Sequence, residues 1–212
     1  MESANLNRRP LKTRSSRWAQ HVAAYLASTA ISPNQISVLS IVFAAAGAGA
    51  LLTTSGPWPL IACAVCIQLR LACNLLDGMV AIEGGMKTRS GDILNDLPDR
   101  ISDPLIIVPA GYAITALPYG PDLGWLAALI AVLTAYVRVL GHSAGTPDFF
   151  AGPMAKQHRM ALMTGACALC AVGAFWSLQQ PILYAGLIAI ALGGVATIVR
   201  RLALIIRTLE RL

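Results

Sequence analysis

A cluster of carboxylates and amides interrupts an otherwise apolar stretch of this chain: Asn74 and Asp77, then Asp92, Asn95, Asp96, Asp99 and Asp103. Asn74 and Asp77 are three residues apart, so a helix places them side by side. Positions 92, 96, 99 and 103 step by four, three and four and share one helix face, and Asn95 and Asp99 are i,i+4 neighbours. Carboxylates stacked in this way repel one another and are costly beside lipid unless a cation or basic partner compensates. Oxygen donors of this kind suit a hard divalent cation such as Mg2+, which also bridges to phosphate. They would equally suit a proton or ion path through a helix bundle. A purely structural role, as helix-cap acids paired with Arg100 or Lys87, explains Asp92 in a first helical turn. It does not explain Asp99 and Asp103, which lie two to three turns deeper. Small residues follow the acids at Gly78, Ala81, Gly84, Gly85 and Gly91. They let a bulky ligand approach the backbone, which phosphate chemistry on a metal requires and a proton path does not.

The elements that must carry these residues are membrane spans. The chain has 212 residues, 56% hydrophobic and 12% charged, with a mean hydropathy of +0.64. That charged fraction is about half of what a soluble domain carries. Apolar runs separated by short polar breaks predict about six spans of ~20 residues each. They cover Ile36 to Thr53, Trp58 to Ile82, Gly91 to Leu117, Leu123 to Gly141, Met160 to Trp176 and Ile182 to Ile206, with loosening at Pro104 and Pro109. The segment from Arg14 to Ser28 reads as an amphipathic helix on the membrane surface, with Trp18, Val22 and Tyr25 against lipid. The expected fold is an all-α integral membrane protein. Residues 1–30 form a cytoplasmic juxtamembrane segment, and residues 31–212 form one six-helix bundle without internal repeats.

Charge orients the bundle. The breaks near 54–58, 118–122 and 177–181 hold no Lys or Arg. The opposite breaks hold Lys87, Arg89, Lys156 and Arg159, and both ends of the chain are basic. The positive-inside rule therefore predicts cytoplasmic termini in a bacterial-type inner membrane, and the absence of an apolar h-region predicts no cleavable signal peptide. The net charge of +6 follows from this distribution, and with no soluble domain it implies no nucleic-acid partner. Cys63/Cys66 and Cys167/Cys170 lie inside apolar runs, where they read as small residues at helix contacts in preference to a metal or redox pair.

The polar residues resemble the signature of the CDP-alcohol phosphotransferase superfamily, D-x2-D-G-x2-A-R-x8-G-x3-D-x3-D. This chain reads N74-x2-D77-G78-x2-A81-I82-x8-G91-x3-N95-x3-D99, with the spacing matched throughout. The resemblance implies a six-helix membrane bundle, a homodimer, whose site opens to the cytoplasm. It implies that Asn74, Asp77, Asn95 and Asp99 hold one or two Mg2+ or Mn2+ ions on the diphosphate of a CDP-linked lipid such as CDP-diacylglycerol. Asp99 would accept the proton of a polar alcohol that attacks the lipid-side phosphorus, and CMP would leave. Gly78, Ala81 and Gly91 would make room for the nucleotide.

Three positions depart from the signature: Asn74 and Asn95 replace aspartates, and Ile82 replaces the arginine. Asn ligates a hard cation without charge, so metal should be held less tightly, with Asp96 as a substitute ligand. The superfamily includes a branch with Asn at both positions, an acid after the second, and a stretch like Gly152-Pro153-x2-Lys156-x2-Arg159. Arg89, Arg138, Lys156 and Arg159 could replace the missing arginine or bind phosphate or an anionic acceptor; ordinary positive-inside charge, or snorkelling in the case of Arg138, explains them equally. His142 and His158 read as exposed, and Arg70 as a carboxylate partner. The expected activity is phosphatidyl transfer in phospholipid biosynthesis. The competing readings are a relative that binds CDP-lipid or metal without turnover, motivated by Asn74, Asn95 and Ile82, and a small proton-coupled carrier.

Overall fold

A computed structural model describes residues 16–29, 31–53, 56–86 and 91–211, without the side chains of Asp92 and Asn95. Seven α-helices and no strand occur among the described residues: α1 (Arg17–Ala27), α2 (Pro33–Leu52), α3 (Trp58–Glu83), α4 (Gly91–Tyr112), α5 (Gly120–Ser143), α6 (Lys156–Gly173) and α7 (Gln179–Leu209). A 3-10 turn, Ala174–Trp176, closes α6.

Local chemistry sets the helix ends. Ser32 Oγ accepts from Gln35 N at 3.3 Å and Gln35 Oε1 accepts from Ser32 N at 2.8 Å, a capping box with Pro33 in the first turn. This starts α2 three residues before the predicted Ile36. α4 stops at Tyr112, short of the predicted Leu117. The side-chain oxygen of Gln180 takes the backbone N–H groups of Thr115 and Ala116, at 2.9 and 2.5 Å, in place of helical carbonyls. α6 begins at Lys156, four residues before the predicted Met160, because nothing after Pro153 breaks a helix there. Lys156 and Arg159 therefore project from a first helical turn and not from a loop. Pro98, Pro104 and Pro109 leave α4 unbroken. Each removes one N–H from the ladder, and packing against α2 and α5 holds the helix across these gaps.

Five helices are long and apolar enough to cross a membrane: α2, α3, α5, α6 with its 3-10 turn, and α7. α4, with 22 residues, is as long, but it carries Asp92, Asp96, Asp99, Arg100 and Asp103. The expectation of six spans meets five on apolarity alone. Large apolar side chains, Val42, Leu129, Leu192 and Val199 among them, face outward as lipid contact requires. The chain is a multi-pass membrane protein.

α2 packs between α3 and α4, α5 joins α4 to α7, and α6 joins α3 to α7, whereas α3 and α4 scarcely touch. The wedge of α2 leaves few direct contacts between α3 and α4. α4 and α5 approach so closely that a Cβ on Gly111 would lie 2.8 Å from Gly124 Cα. α1 rests Ala19 and Ala23 on a cluster with Cys73, Met79 and Val80 of α3, leaving Trp18, Val22 and Tyr25 exposed. Cys63 and Cys167 meet across α3 and α6 as buried free thiols.

Candidate active site at the α3–α4–α6 junction

α3 contributes Arg70, Asn74 and Asp77 from successive turns of one face. Asn74 Nδ2 donates to Asp99 Oδ1 of α4 at 3.0 Å, and Arg70 Nη2 donates to the same oxygen at 3.2 Å. Lys156, from the first turn of α6, holds the other oxygen, Asp99 Oδ2. Asp77 is fixed by Ser37 Oγ of α2, which donates to its Oδ2 at 2.6 Å, and by Gly78 N, which donates to its Oδ1 at 2.6 Å. Lys156 and Asp99 are near enough to act electrostatically on Asp77. Asn74, Asp77, Asp99 and Lys156 therefore gather at one junction.

One turn deeper, Asp103 is 2% exposed and doubly paired. Arg70 Nη2 donates to its Oδ1 at 2.5 Å, and Arg159 donates to its Oδ2 from both Nε, at 3.1 Å, and Nη2. Three cations, Arg70, Lys156 and Arg159, thus face Asp77, Asp99 and Asp103. A buried charge persists only with such partners, and removing one partner of a buried pair costs about 3–5 kcal/mol.

Other sequence-predicted residues stand elsewhere. Asp96 lies on the face shared by Asp99 and Asp103, but its partners differ: Arg100 at 2.7 Å and Arg138 of α5 at 2.8 Å. Arg138 also pairs with Asp148 at 3.6 Å and lies over the Phe150 ring. Asp96 and Arg138 therefore form a separate pair at the α4–α5 edge, beside a depression of about 210 Å3 that is also lined by Val132 and Tyr136. Arg159 is 1% exposed, spent on Asp103 and on the Met154 carbonyl at 3.2 Å, which leaves it as a brace. Gly78 and Ala81 are half-buried, Gly91 opens α4, and Ile82 is exposed at the position of the signature arginine. Arg89 and Lys87, and the side chains of Asp92 and Asn95, lie outside the described residues. His142 and His158 are exposed.

Sequence reasoning gave Arg70 no role beyond carboxylate pairing and did not use Ser37. For Arg70 the signal was present: an arginine within an apolar helix, one turn before Asn74, needs a counter-charge. Ser37, forty residues from Asp77, left no trace in spacing.

The donor set fits a hard divalent cation. Asn74 Oδ1 is buried with no hydrogen-bond partner, and the neighbouring donors are carboxylate oxygens. Among the described residues, no three His, Cys, Asp or Glu side chains form a metal-holding group by themselves. The amide oxygen of Asn74 matters for that reason.

Residues 30–199 match the family model described as CDP-alcohol phosphatidyltransferase. The chain belongs to the CDP-alcohol phosphatidyltransferase family. It is accordingly a transferase enzyme. It is similar to the inner membrane protein YnbA of Escherichia coli (strain K12), with 27% identity over 144 residues, 66% of this chain and 67% of that one. Its fold resembles phosphatidylinositol phosphate synthase of Mycobacterium tuberculosis with CDP-DAG bound, with a TM-score of 0.74, 22% identity, and 90% and 94% of the two chains covered. The same synthase in complex with manganese and citrate aligns with a TM-score of 0.73 and 22% identity, over 88% of each chain. At that identity the likeness establishes the shared fold. Membership in the family sets aside the carrier reading.

Proposed function

We propose that the chain transfers a phosphatidyl group from a CDP-linked lipid, such as CDP-diacylglycerol, to the hydroxyl of a small polar alcohol and releases CMP. The observation that carries this reading is the joint at Asp99, which α3 holds by one oxygen and Lys156 of α6 by the other. With Oδ1 anchored by α3, Oδ2 is held in a fixed direction beside Lys156, and it is free to act as a general base once the substrate phosphates draw the Lys156 ammonium to themselves. Asp99 accepts the proton of the acceptor hydroxyl. The acceptor oxygen bonds to the lipid-side phosphorus while the phosphoanhydride bond breaks, and the electron pair leaves with CMP. Lys156 faces the reacting phosphates as Asp99 gains its proton, and Gly78 and Ala81 leave room for the nucleotide. Asn74 Oδ1, Asp77, Asp99 and Asn95 would hold Mg2+ or Mn2+, whose chemistry there is charge neutralisation of the diphosphate.

α4 is read as the sixth span, since Asp96, Asp99 and Asp103 are paired within the protein and its length matches its neighbours. Residues 31–212 then form one bundle that works as a homodimer, with α1 lying on the inner leaflet. The site faces the cytoplasm because Lys156, Arg159, Arg200, Arg207 and Arg211 fall at its end of the molecule.

The test uses purified protein with labelled CDP-diacylglycerol and a panel of alcohols, with product lipids separated by thin-layer chromatography. CMP and a new lipid should form with at least one acceptor, and EDTA should stop both until Mg2+ or Mn2+ is returned. Asp99→Asn should lose turnover by at least ~100-fold while eluting as a folded protein. Full activity in both Asp77→Asn and Asp99→Asn would remove the mechanism.

A further inference from the structure

Arg70 is fully buried in the middle of α3, so it meets neither lipid nor solvent. Its Nη2 forks to two carboxylates of α4, Asp99 Oδ1 at 3.2 Å and Asp103 Oδ1 at 2.5 Å, and its Nη1 donates to Met160 Sδ of α6 at 2.7 Å. One guanidinium thus touches both helices that flank the junction, where α3 and α4 scarcely meet. Asp103 in turn is locked from the far side by Arg159, so the fork rests on a fixed point. The signature followed by this family does not extend to either position, and the composition of an apolar span does not call for a cation there.

We propose that Arg70 is a positioning residue for the reaction, setting the direction of Asp99 through its Oδ1 oxygen. Asn74 supplies the second donor to that oxygen, and together they leave Oδ2 as the oxygen presented toward Lys156 and the substrate. Asp103 serves as the anchor of the fork and takes no part in the chemistry. The rigid guanidinium keeps Nη2 on both carboxylates while Nη1 rests on Met160, whereas the single ammonium of a shorter, flexible lysine cannot keep all three contacts at once. The inference rests on Asp99 as proton acceptor, and it adds that α3 fixes the geometry of that acceptor from behind.

The experiment compares the full chain with its Arg70→Lys and Arg70→Met variants, each checked for monodisperse elution, and reads two signals. The first is turnover. Misaiming a reacting group by about 1 Å costs on the order of 100-fold. Arg70→Met should therefore lose about that in kcat, and Arg70→Lys somewhat less, with KM for the CDP-lipid within about twofold because a residue with no exposed surface binds no substrate. The second is the infrared carboxylate band of Asp99, isolated with 13C-aspartate label as the difference between the protein and its Asp99→Asn variant. Both substitutions should move that band without any substrate present. Arg70→Met places Asp103 opposite an apolar side chain and risks misfolding; Arg70→Lys keeps the charge, and its result decides. An unmoved band, or a folded Arg70→Lys protein with kcat within twofold of the parent, overturns the proposal. A parent protein that releases no CMP overturns the proposed activity instead, and the band still reports on Arg70.

Discussion

At Asn74 the two ends of one amide meet different demands. Nδ2 donates to Asp99 at 3.0 Å, while Oδ1 is buried and unpartnered. An aspartate there would set two carboxylates in contact, a pair that ionises together only with a cation between them. The departure from the family signature therefore lets α3 and α4 join without a metal ion. Asn74→Asp should make that joint metal-dependent: its melting temperature in EDTA falls below that of the parent, and Mn2+ restores it. An equal melting temperature in EDTA would show that the amide donor is dispensable. The sequence indicated that the acids needed compensation and named Arg100, Lys87 and Arg70 as partners. Arg100 does pair, with Asp96, and Arg70 pairs with Asp99 and Asp103. The other partners of Asp99 and Asp103 are Lys156 and Arg159, residues up to 57 positions away that helical spacing cannot connect.

Element ends were legible to within about three residues where a breaker or a cap stood in the chain: Gly84-Gly85 follows α3 one residue past the expected Ile82, and Ser32-Pro33 opens α2 three residues before the expected Ile36. They were missed where a tertiary contact did the work, as where Gln180 ends α4 by taking two backbone donors. The contact between α4 and α5 depends on the absence of side chains. A Cβ at Gly111 would meet Gly120 O at 2.6 Å, and one at Gly124 would meet Gly111 Cα at 3.0 Å. Gly111→Val should lower stability by about 1–3 kcal/mol through overpacking. The effect would register as a reduced melting temperature in detergent. The rate per folded molecule should stay near that of the parent, because Gly111 lies about 18 Å along α4 from Asp99. A folded variant with normal stability would mean that the helices slide apart without loss.

For the molecule as a whole, the side on which the chemistry occurs is set by charge. With the native cysteines replaced, Ala144→Cys should react with a membrane-impermeant maleimide only from the cytoplasmic face, and Ser177→Cys only from the opposite one. The reverse pattern would put the site on the wrong side for a nucleotide-linked donor. Composition alone determined that this is a membrane protein, because bilayer thickness and the cost of charge in hydrocarbon act on residue runs without reference to contacts. Spacing determined which helix ends are proposed to carry the chemistry, because the α-helical period is local. The tertiary structure decided which cation meets which carboxylate, that Arg159 braces and Lys156 faces the site, and that Asp96 joins Arg138 at another edge. Those pairings depend on how α2 wedges α3 from α4 and on where α6 returns, and such long-range packing has no local pattern in the chain.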